Sequence, residues 1–349
     1  MLRVTVGLDL GDRYSRFCML DGAGSVFEEG RVKTTPEALE RRFGGEPRAR
    51  VVMEVGTHSP WASRLLGELR HEVLVANPRR LKLIYGQTDK SDRLDAEHLA
   101  RVGRMDPKLL SAVQHRGAEA QADLALLRSR DALVRTRAQL VNHARGSVKS
   151  VGARLPKCST SSFARKVATH LPERLRPALE PVLAAIGDLS QKIRAYDREI
   201  ERLGNERYPE VQNLRAVPGV GALTGLAYVL TLEEPERFRT SRAVGPYLGL
   251  RPKKRQSGES DPSLRITKAG DIMLRRLLIG SAHYILGPFG PDCDLRRWGL
   301  TLVARGGRHA KNKAVVAVAR KLSVLLHHLW LTGETYDPSY AGTRLQDAA

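Results

Sequence analysis

Cysteine is nearly absent from this 349-residue chain. Its three cysteines, Cys18, Cys158 and Cys293, lie far apart in the sequence, and none belongs to a Cys-x-x-Cys pair. Disulfide-bonded mini-domains and structural zinc sites need closely spaced cysteines, so the sequence excludes both classes. So few thiols are typical of a reducing compartment, and we expect a bacterial-type cytoplasm.

Aromatic and acidic residues are also scarce. Phe, Trp and Tyr make up 5% of the chain, and 38 Asp and Glu stand against 58 Lys and Arg, which leaves a formal net charge of +20. A positive excess of this size predicts a polyanionic partner. Because few rings are available to stack on exposed bases, we expect contacts with phosphates to provide most of the affinity.

Long apolar runs are missing as well. No run in the sequence is long enough to span a bilayer, and the first residues, MLRVTVGLDLGD, lack the apolar core of a secretory signal. We therefore expect no membrane partner and a protein associated with the bacterial nucleoid. The apolar content of 42% is nevertheless sufficient for a sizeable core.

Residues 1–108 have the pattern of an α/β domain. RVTVGLDLG, ARVVMEVG and EVLVAN are short and largely apolar, as buried strands are, and the helix-forming segments TPEALERRFGG and SPWASRLLGELRH lie between them. The turn from Asp21 to Gly24 predicts a β-hairpin. This alternation of strands and helices favours helices packed on a sheet.

Residues 109–208 lack any strand pattern and predict a helical arm. From Leu179 to Leu203 apolar residues recur at alternating steps of three and four, which is typical of a coiled coil. The alternative is a long helix packed within its own domain. We expect two helices in an antiparallel hairpin that could join subunits. Residues 209–335 predict a mostly α-helical, basic C-terminal domain, and residues 336–349 a tail.

Four acidic residues are candidate metal ligands. Asp9 and Glu54 each end a buried strand, where an unpaired carboxylate is costly and where α/β sheets form their sites. Asp92 and Asp95 lie three residues apart on one predicted helix face. Four converging carboxylates need a cation, and their oxygens suit Mg²⁺ or Mn²⁺, two of which could hold the entering and leaving oxygens of a phosphodiester. The alternatives are turn, cap or solvated positions, as expected for the helix cap Asp89.

Two segments of the C-terminal domain predict contacts with nucleic acid. AVPGVGALTG resembles a helix-hairpin-helix, in which Gly219 and Gly221 allow a tight turn that exposes N–H groups to a phosphate; a plain loop is the alternative. Ser257 lies in the basic loop GLRPKKRQSGES and could attack a phosphodiester with help from cations, although most loop serines have no such role. The basic residues expected to contact phosphates are Lys253, Lys254, Arg255, Arg265, Lys268, Arg305, Arg308, Lys311 and Lys313.

Taken in order along the chain, these motifs resemble one family. The family is that of the DEDD transposases of bacterial insertion sequences, which includes the Piv-type DNA invertases. The motifs that follow its order are GLDLGDRYSRFCMLD, VVMEVGTHSPWASRLL, NPRRLKLIYGQTDKSDRLDAEHLA, VPGVGALTGLAYVLTLEEPERF, YLGLRPKKRQSGE, RITKAGDIMLRRLL and KNKAVVAVARKL. Each motif alone is weak, but the series is specific, and the resemblance covers nearly the whole chain.

This resemblance implies a fold, a site and partners. The N-terminal domain would be RNase H-like, similar to RuvC, with Asp9, Glu54, Asp92 and Asp95 as the acidic tetrad. The C-terminal domain would supply Ser257 for strand exchange. The partners implied are double-stranded donor and target DNA, a structured guide RNA encoded by the element itself, and further copies of the chain in a dimer or tetramer.

Three other functions are compatible with parts of the sequence. GLDLGDRYSRFCMLD also resembles the first phosphate motif of actin-like ATPases and sugar kinases, but their second phosphate loop and adenosine loop are not visible in the sequence. A non-enzymatic nucleic-acid-binding protein would not need the tetrad. A RuvC-like junction resolvase would use the tetrad without a serine.

Overall fold

The computed structural model describes residues 4–78, 92–257 and 264–339. The chain divides into two compact units, residues 1–118 and 119–349. The three-domain division expected from the sequence, with a separate arm, stays a prediction.

The first unit contains a mixed sheet of five strands among its described residues. They are β1 (Thr5–Asp9), β2 (Tyr14–Leu20), β3 (Val26–Lys33), β4 (Arg50–Glu54) and β5 (Glu72–Ala76). The strand order is β3-β2-β1-β4-β5. β2 is antiparallel to both β1 and β3, whereas β1, β4 and β5 run parallel to one another. Asp21 accepts hydrogen bonds from three backbone N–H groups in the turn between β2 and β3, so the predicted hairpin is confirmed.

Helices cover both faces of this sheet. They are α1 (Pro36–Phe43), α2 (Ser59–Glu68) and α3 (Asp92–Met105), with a 3-10 turn at Pro107–Leu110. Side chains alternate along a strand, so Val6 and Leu8 of β1 pack with α1 and α2, whereas Gly7 between them faces α3. The predicted α/β arrangement of the N-terminal region is confirmed.

A long helical hairpin begins the second unit. Its helices are α4 (Ala118–Ser150), the short α5 (Phe163–Val167) and α6 (Arg176–Glu206). Arg130 of α4 hydrogen-bonds to Asp197 of α6, and Arg137, further along α4, hydrogen-bonds to Ser190, which comes earlier in α6. The two helices are therefore antiparallel. The predicted seam of α6 is buried at Leu179, Ile186, Ile193, Ile200 and Leu203. Because this seam packs within the hairpin, an oligomer formed through the arm would use other faces.

The rest of the second unit is a helical bundle that shares its core with the start of the hairpin. Its helices are α7 (Glu210–Arg215), α8 (Ala222–Leu232), α9 (Val244–Tyr247), α10 (Ile272–Leu286), α11 (Asp294–Ala304) and α12 (Ala310–Thr332). Short 3-10 turns of the bundle lie at Pro235–Arg237 and Ser241–Ala243, and two more, at Ala168–His170 and Glu173–Leu175, lie between α5 and α6 of the hairpin. Leu124 and Leu127 of α4 belong to the same apolar cluster as Leu226 of α8 and Leu322 of α12.

α12 corrects one expectation from the sequence. It is the one helix of the described residues that is long and apolar enough, by length and composition, to cross a membrane. Half of that apolar window is buried, and Val318, Leu322 and Leu326 lie in the core of the bundle. A central helix surrounded by others is apolar on most sides for this reason.

Candidate active site

Two acidic residues lie at the same edge of the sheet. Leu8 pairs with Met53 in the parallel register of β1 and β4, so the next residues, Asp9 and Glu54, end the two strands side by side. Asp9 is half-buried and Glu54 is exposed. The carboxyl ends of parallel strands are the usual place for sites in α/β sheets.

Both residues follow positions that face α3. A Cβ on Gly7 would collide with the backbone of Ala96 and Ala100, and Val52 belongs to the cluster that contains Leu99 of α3. Side chains two residues apart along a strand lie on the same face. Asp9 and Glu54, two residues after Gly7 and Val52, therefore leave the sheet on the side of α3.

α3 runs antiparallel to β1 and begins at this edge. Its last turn lies at the opposite edge, where Gly103 O accepts from Arg50 Nη1 at 3.0 Å and Arg104 Nη2 donates to Gly22 O at 2.5 Å. Arg93, in the first turn, forms an ion pair with Glu29 of β3 at 2.8 Å. The start of α3, with Asp92 and Asp95, therefore lies toward the strand ends that carry Asp9 and Glu54.

The ligand set itself stays a prediction. Asp95 is exposed, and among the described side chains, which do not include that of Asp92, no group of three or more His, Cys, Asp or Glu is arranged to hold a metal ion. The backbone nevertheless brings four carboxylate-bearing positions to one edge and one face. Carboxylate oxygens are the donors that Mg²⁺ and Mn²⁺ prefer, so the residues present fit such an ion chemically. Asp89 lies outside the described residues.

A hydrogen-bond network that the sequence did not reveal supports the loop after Glu54. The buried Ser59 Oγ accepts from Gly56 N–H at 3.0 Å, lies 2.9 Å from Gly56 O, and lies 2.8 Å from His115 Nε2. Burial, with a smaller contribution from Arg64, lowers the pKa of His115 below its ordinary value. The neutral ring can then remain inside the fold beside Ser59.

In the second unit, the predicted helix-hairpin-helix segment is a tight turn between two helices. Gly219 has φ +79°, and a Cβ there would lie 3.0 Å from Ser281 O, so this position favours glycine. Gly221 is the N-cap of α8 and offers no side chain to cap its first N–H groups. Arg276 and Gly221 line one open groove of about 560 Å³ beside this helix start. The geometry suits a phosphate, but the two glycines stay predictions.

Ser257 is exposed and lies beyond a short antiparallel pairing. Pro252 and Ile266 form a β-bridge, and Lys253 N–H donates to Arg265 O at 3.0 Å. At the base of this pairing the buried Arg275 donates to Leu248 O at 2.9 Å and to Ala269 O at 2.6 Å. A buried arginine therefore supports the base of the serine-bearing loop. The neighbouring serines Ser260 and Ser263 lie outside the described residues.

The predicted phosphate-contacting cations all lie on the surface of the second unit. Arg305 and Arg308 occupy the loop after α11, whereas Lys311 and Lys313 belong to the first turn of α12. Lys268 has φ +56°, an uncommon conformation for lysine. The exposed cations are Lys253, Lys254, Arg255, Arg265, Lys268, Arg305, Arg308, Lys311 and Lys313.

Comparison with known proteins identifies the family. A DEDD transposase model of the IS110 type matches residues 6–152, and the model described as the transposase IS116/IS110/IS902 family matches residues 211–289. The chain is 30% identical over 344 residues to the probable family 20 transposase of Pseudomonas aeruginosa. The aligned residues cover 95% of this chain and 98% of that protein. The chain belongs to the IS110 family of DEDD transposases.

Other relatives of this transposase carry the same description. The transposase for insertion sequence element IS1111A of Coxiella burnetii is 27% identical over 342 residues, 95% of this chain and 90% of its own. The transposase for insertion sequence element IS1328 of Yersinia enterocolitica is 27% identical over 326 residues, which cover 91% of this chain and 94% of that transposase. Transposases cut and rejoin DNA, so the protein is an enzyme of that class. The first matched segment contains the four acidic positions, and the second contains Gly219, Gly221 and Ser257.

Proposed function

We propose that this transposase cuts and rejoins the strands of DNA with the acidic edge of its first unit and Ser257 of its second. The observation that carries the proposal is the meeting of the ends of β1 and β4 with the start of α3 on one face of the sheet. The strand order β3-β2-β1-β4-β5, with β2 antiparallel to both of its neighbours, supports our proposal that the first unit has an RNase H-like, RuvC-like fold.

Asp9, Glu54, Asp92 and Asp95 would hold Mg²⁺ or Mn²⁺ at this edge. Ions held there would stabilise the charge that develops on the entering and leaving oxygens of a phosphodiester. The contribution of the chain is to position the four carboxylates. The parallel pairing of β1 with β4 sets the spacing of the first two carboxylates, and the contact of Gly7 with α3 sets the distance to the other two.

Ser257 would act as the nucleophile in strand exchange. Its Oγ would form a bond to phosphorus while one phosphorus–oxygen bond of the DNA breaks; the serine proton leaves to a base, and the displaced deoxyribose hydroxyl gains a proton. The phosphoserine ester preserves the energy of the broken bond, so rejoining needs no nucleotide hydrolysis. Lys253, Lys254 and Arg255 would stabilise the negative charge that develops on the phosphoryl oxygens.

The partners follow from charge and family. A net charge of +20 suits duplex DNA and a structured guide RNA, both polyanions. We place the protein at the bacterial nucleoid, as a dimer or tetramer in which the arm contributes contacts, and in which the serine of one subunit could reach the acidic edge of another.

The test is denaturing electrophoresis of labelled DNA incubated with the protein, its guide RNA and Mg²⁺. Wild type should form a covalent protein–DNA adduct, Ser257→Ala should form none, and Asp9→Asn should abolish cleavage while leaving DNA binding intact. Ser161→Ala, an exposed serine of the arm, is the matched control and should form the adduct normally. Cleavage without any adduct would instead support a RuvC-like resolvase, and an adduct in Ser257→Ala would move the nucleophile to Ser260.

A further inference from the structure

A basic cleft of about 570 Å³ lies on the bundle of the second unit, and its cations are not among the predicted phosphate-contacting residues. Four cationic side chains line it, together with one indole, one proline and two aliphatic side chains of α12. The cations are Arg242, Arg251, Arg320 and Lys321, and the ring residues are Pro246 and Trp298. Among the residues that the structure describes, no Asp or Glu lines the cleft.

Each wall of the cleft is held by a contact in the bundle. Arg320 and Lys321 lie on the exposed stripe of α12, whose opposite side fills the core. Gly245 of α9 lies so close that a Cβ there would be 2.9 Å from Arg320 Cγ. Arg242 follows Ser241, whose Oγ is 2.9 Å from the Nδ1 of the buried His327.

Arg251 connects the cleft with the serine-bearing loop. Its carbonyl oxygen accepts from Thr267 N–H at 2.9 Å, in the same antiparallel pairing that carries Lys253. Ser257 is six residues further along the chain. A strand bound in the cleft would therefore pass close to the base of the loop that bears Ser257.

The four cations form a site of one sign. Within the described parts of the chain, none of the four side chains is in an ion pair with a carboxylate, whereas many surface arginines of this protein are. Like charges in one cleft repel each other, and an anion relieves that repulsion. Arginine donates in a planar fork that matches the oxygens of a phosphate.

The apolar half of the lining selects the kind of anion. Trp298 is partly buried against the core, and Lys321 Nζ lies over its ring, 4.7 Å from the centroid. A base would take this place on the ring when the flexible lysine side chain turns toward a phosphate. An indole beside a proline offers nothing to the phosphates of a duplex, whose bases are hidden in the stack. It does suit the ring of an unpaired base, and a cleft of this size accepts one nucleotide rather than a double helix.

We infer that this cleft binds one unpaired nucleotide of a strand held by the protein, with its phosphates on the arginines and its base against Trp298. This inference rests on the proposed nucleic-acid function and adds to it a site for a single-stranded segment. Distorted or opened duplex at a cleavage point, or a loop of a structured RNA, would present such a nucleotide.

The experiment compares two single strands of equal length, one with bases and one abasic, at fixed salt. Wild type should bind the base-bearing strand about 5- to 150-fold more tightly, as expected for one base held by an aromatic side chain. Trp298→Leu should bring that ratio close to one, while Trp298→Phe should keep most of it. Oligo(dT) and oligo(U) as the base-bearing strands show whether DNA or RNA is preferred.

Two charge variants separate the roles of the cleft. Arg320 is exposed, and Arg320→Gln should weaken the binding of both strands equally. It should also reduce the magnitude of the slope of log K against log salt by about 0.7. Lys192→Gln, an exposed cation of the arm, should change neither quantity. An unchanged ratio in Trp298→Leu, or an Arg320→Gln that binds like wild type, overturns the inference. Failure of wild type to bind any strand or duplex would instead refute the proposed function.

Discussion

Replacing Gly7 with alanine tests the contact on which the acidic edge depends. An added Cβ would lie 2.6 Å from Ala100 N and closer still to Ala96 O. Ordinary contacts of a Cβ begin near 3.4 Å. α3 would therefore have to move away from β1 by more than about 0.8 Å, because neither backbone atom can rotate aside as a side chain could.

The expected cost follows from the kind of clash. Overpacking a core with one extra carbon typically costs about 1–3 kcal/mol, and a clash with two backbone atoms should fall at the upper end. A local loss of about 3 kcal/mol speeds hydrogen exchange of the α3 amides by about 150-fold. Displacing Asp92 and Asp95 by about 1 Å should lower metal-dependent cleavage about 100-fold, with duplex binding unchanged.

Two other glycines provide matched controls. A Cβ on Gly67 of α2 meets nothing within 4 Å, so Gly67→Ala should stabilise the first unit by about 0.5–1 kcal/mol. A Cβ on Gly103 would meet Val52 Cγ2, which can partly yield, so Gly103→Ala should be intermediate. Hydrogen exchange read by mass spectrometry and urea unfolding would measure the series. A Gly7→Ala variant as stable as Gly67→Ala would refute the described packing of α3 on β1.

Three further outcomes are expected. Affinity for duplex DNA should fall steeply with salt, with a slope near −0.9 per neutralised phosphate, and a flat titration would contradict the role assigned to the positive charge. Ile186→Asp, which places a carboxylate in the buried seam of the arm, should cost at least about 3 kcal/mol and lower helicity, while the exposed Ala184→Asp should not; equal helicity would refute the seam. His327 has a pKa lowered by burial, so its contribution to stability is full above the ordinary value of 6.5 and is lost as pH falls below it. Urea unfolding at pH 7.5 and 5.5 should therefore show a smaller acid-induced loss in His327→Phe, and equal losses would count against this assignment.

The sequence determined the elements of this protein because their patterns are local. The apolar runs around Val6, Val52 and Val75 predicted the three parallel strands, and the Asp21 turn predicted the hairpin, since each depends on residues close in the chain. The positions of Asp9 and Glu54 at strand ends were predictable for the same reason. The seam of α6 was also visible, because its period spans only a few residues.

Only the tertiary structure decided which faces meet. The position of Asp92 and Asp95 depends on how closely α3 packs on β1 at Gly7. A glycine within an apolar strand signals a close approach, but the sequence does not say which element makes it. On α4, packing buries Leu127 and Val141 more fully than the adjacent apolar residue Leu126. The basic cleft joins residues from 242 to 324. Its charges lie too far apart in the chain to form a motif, and only the packing of α9 and α11 on α12 brings them together.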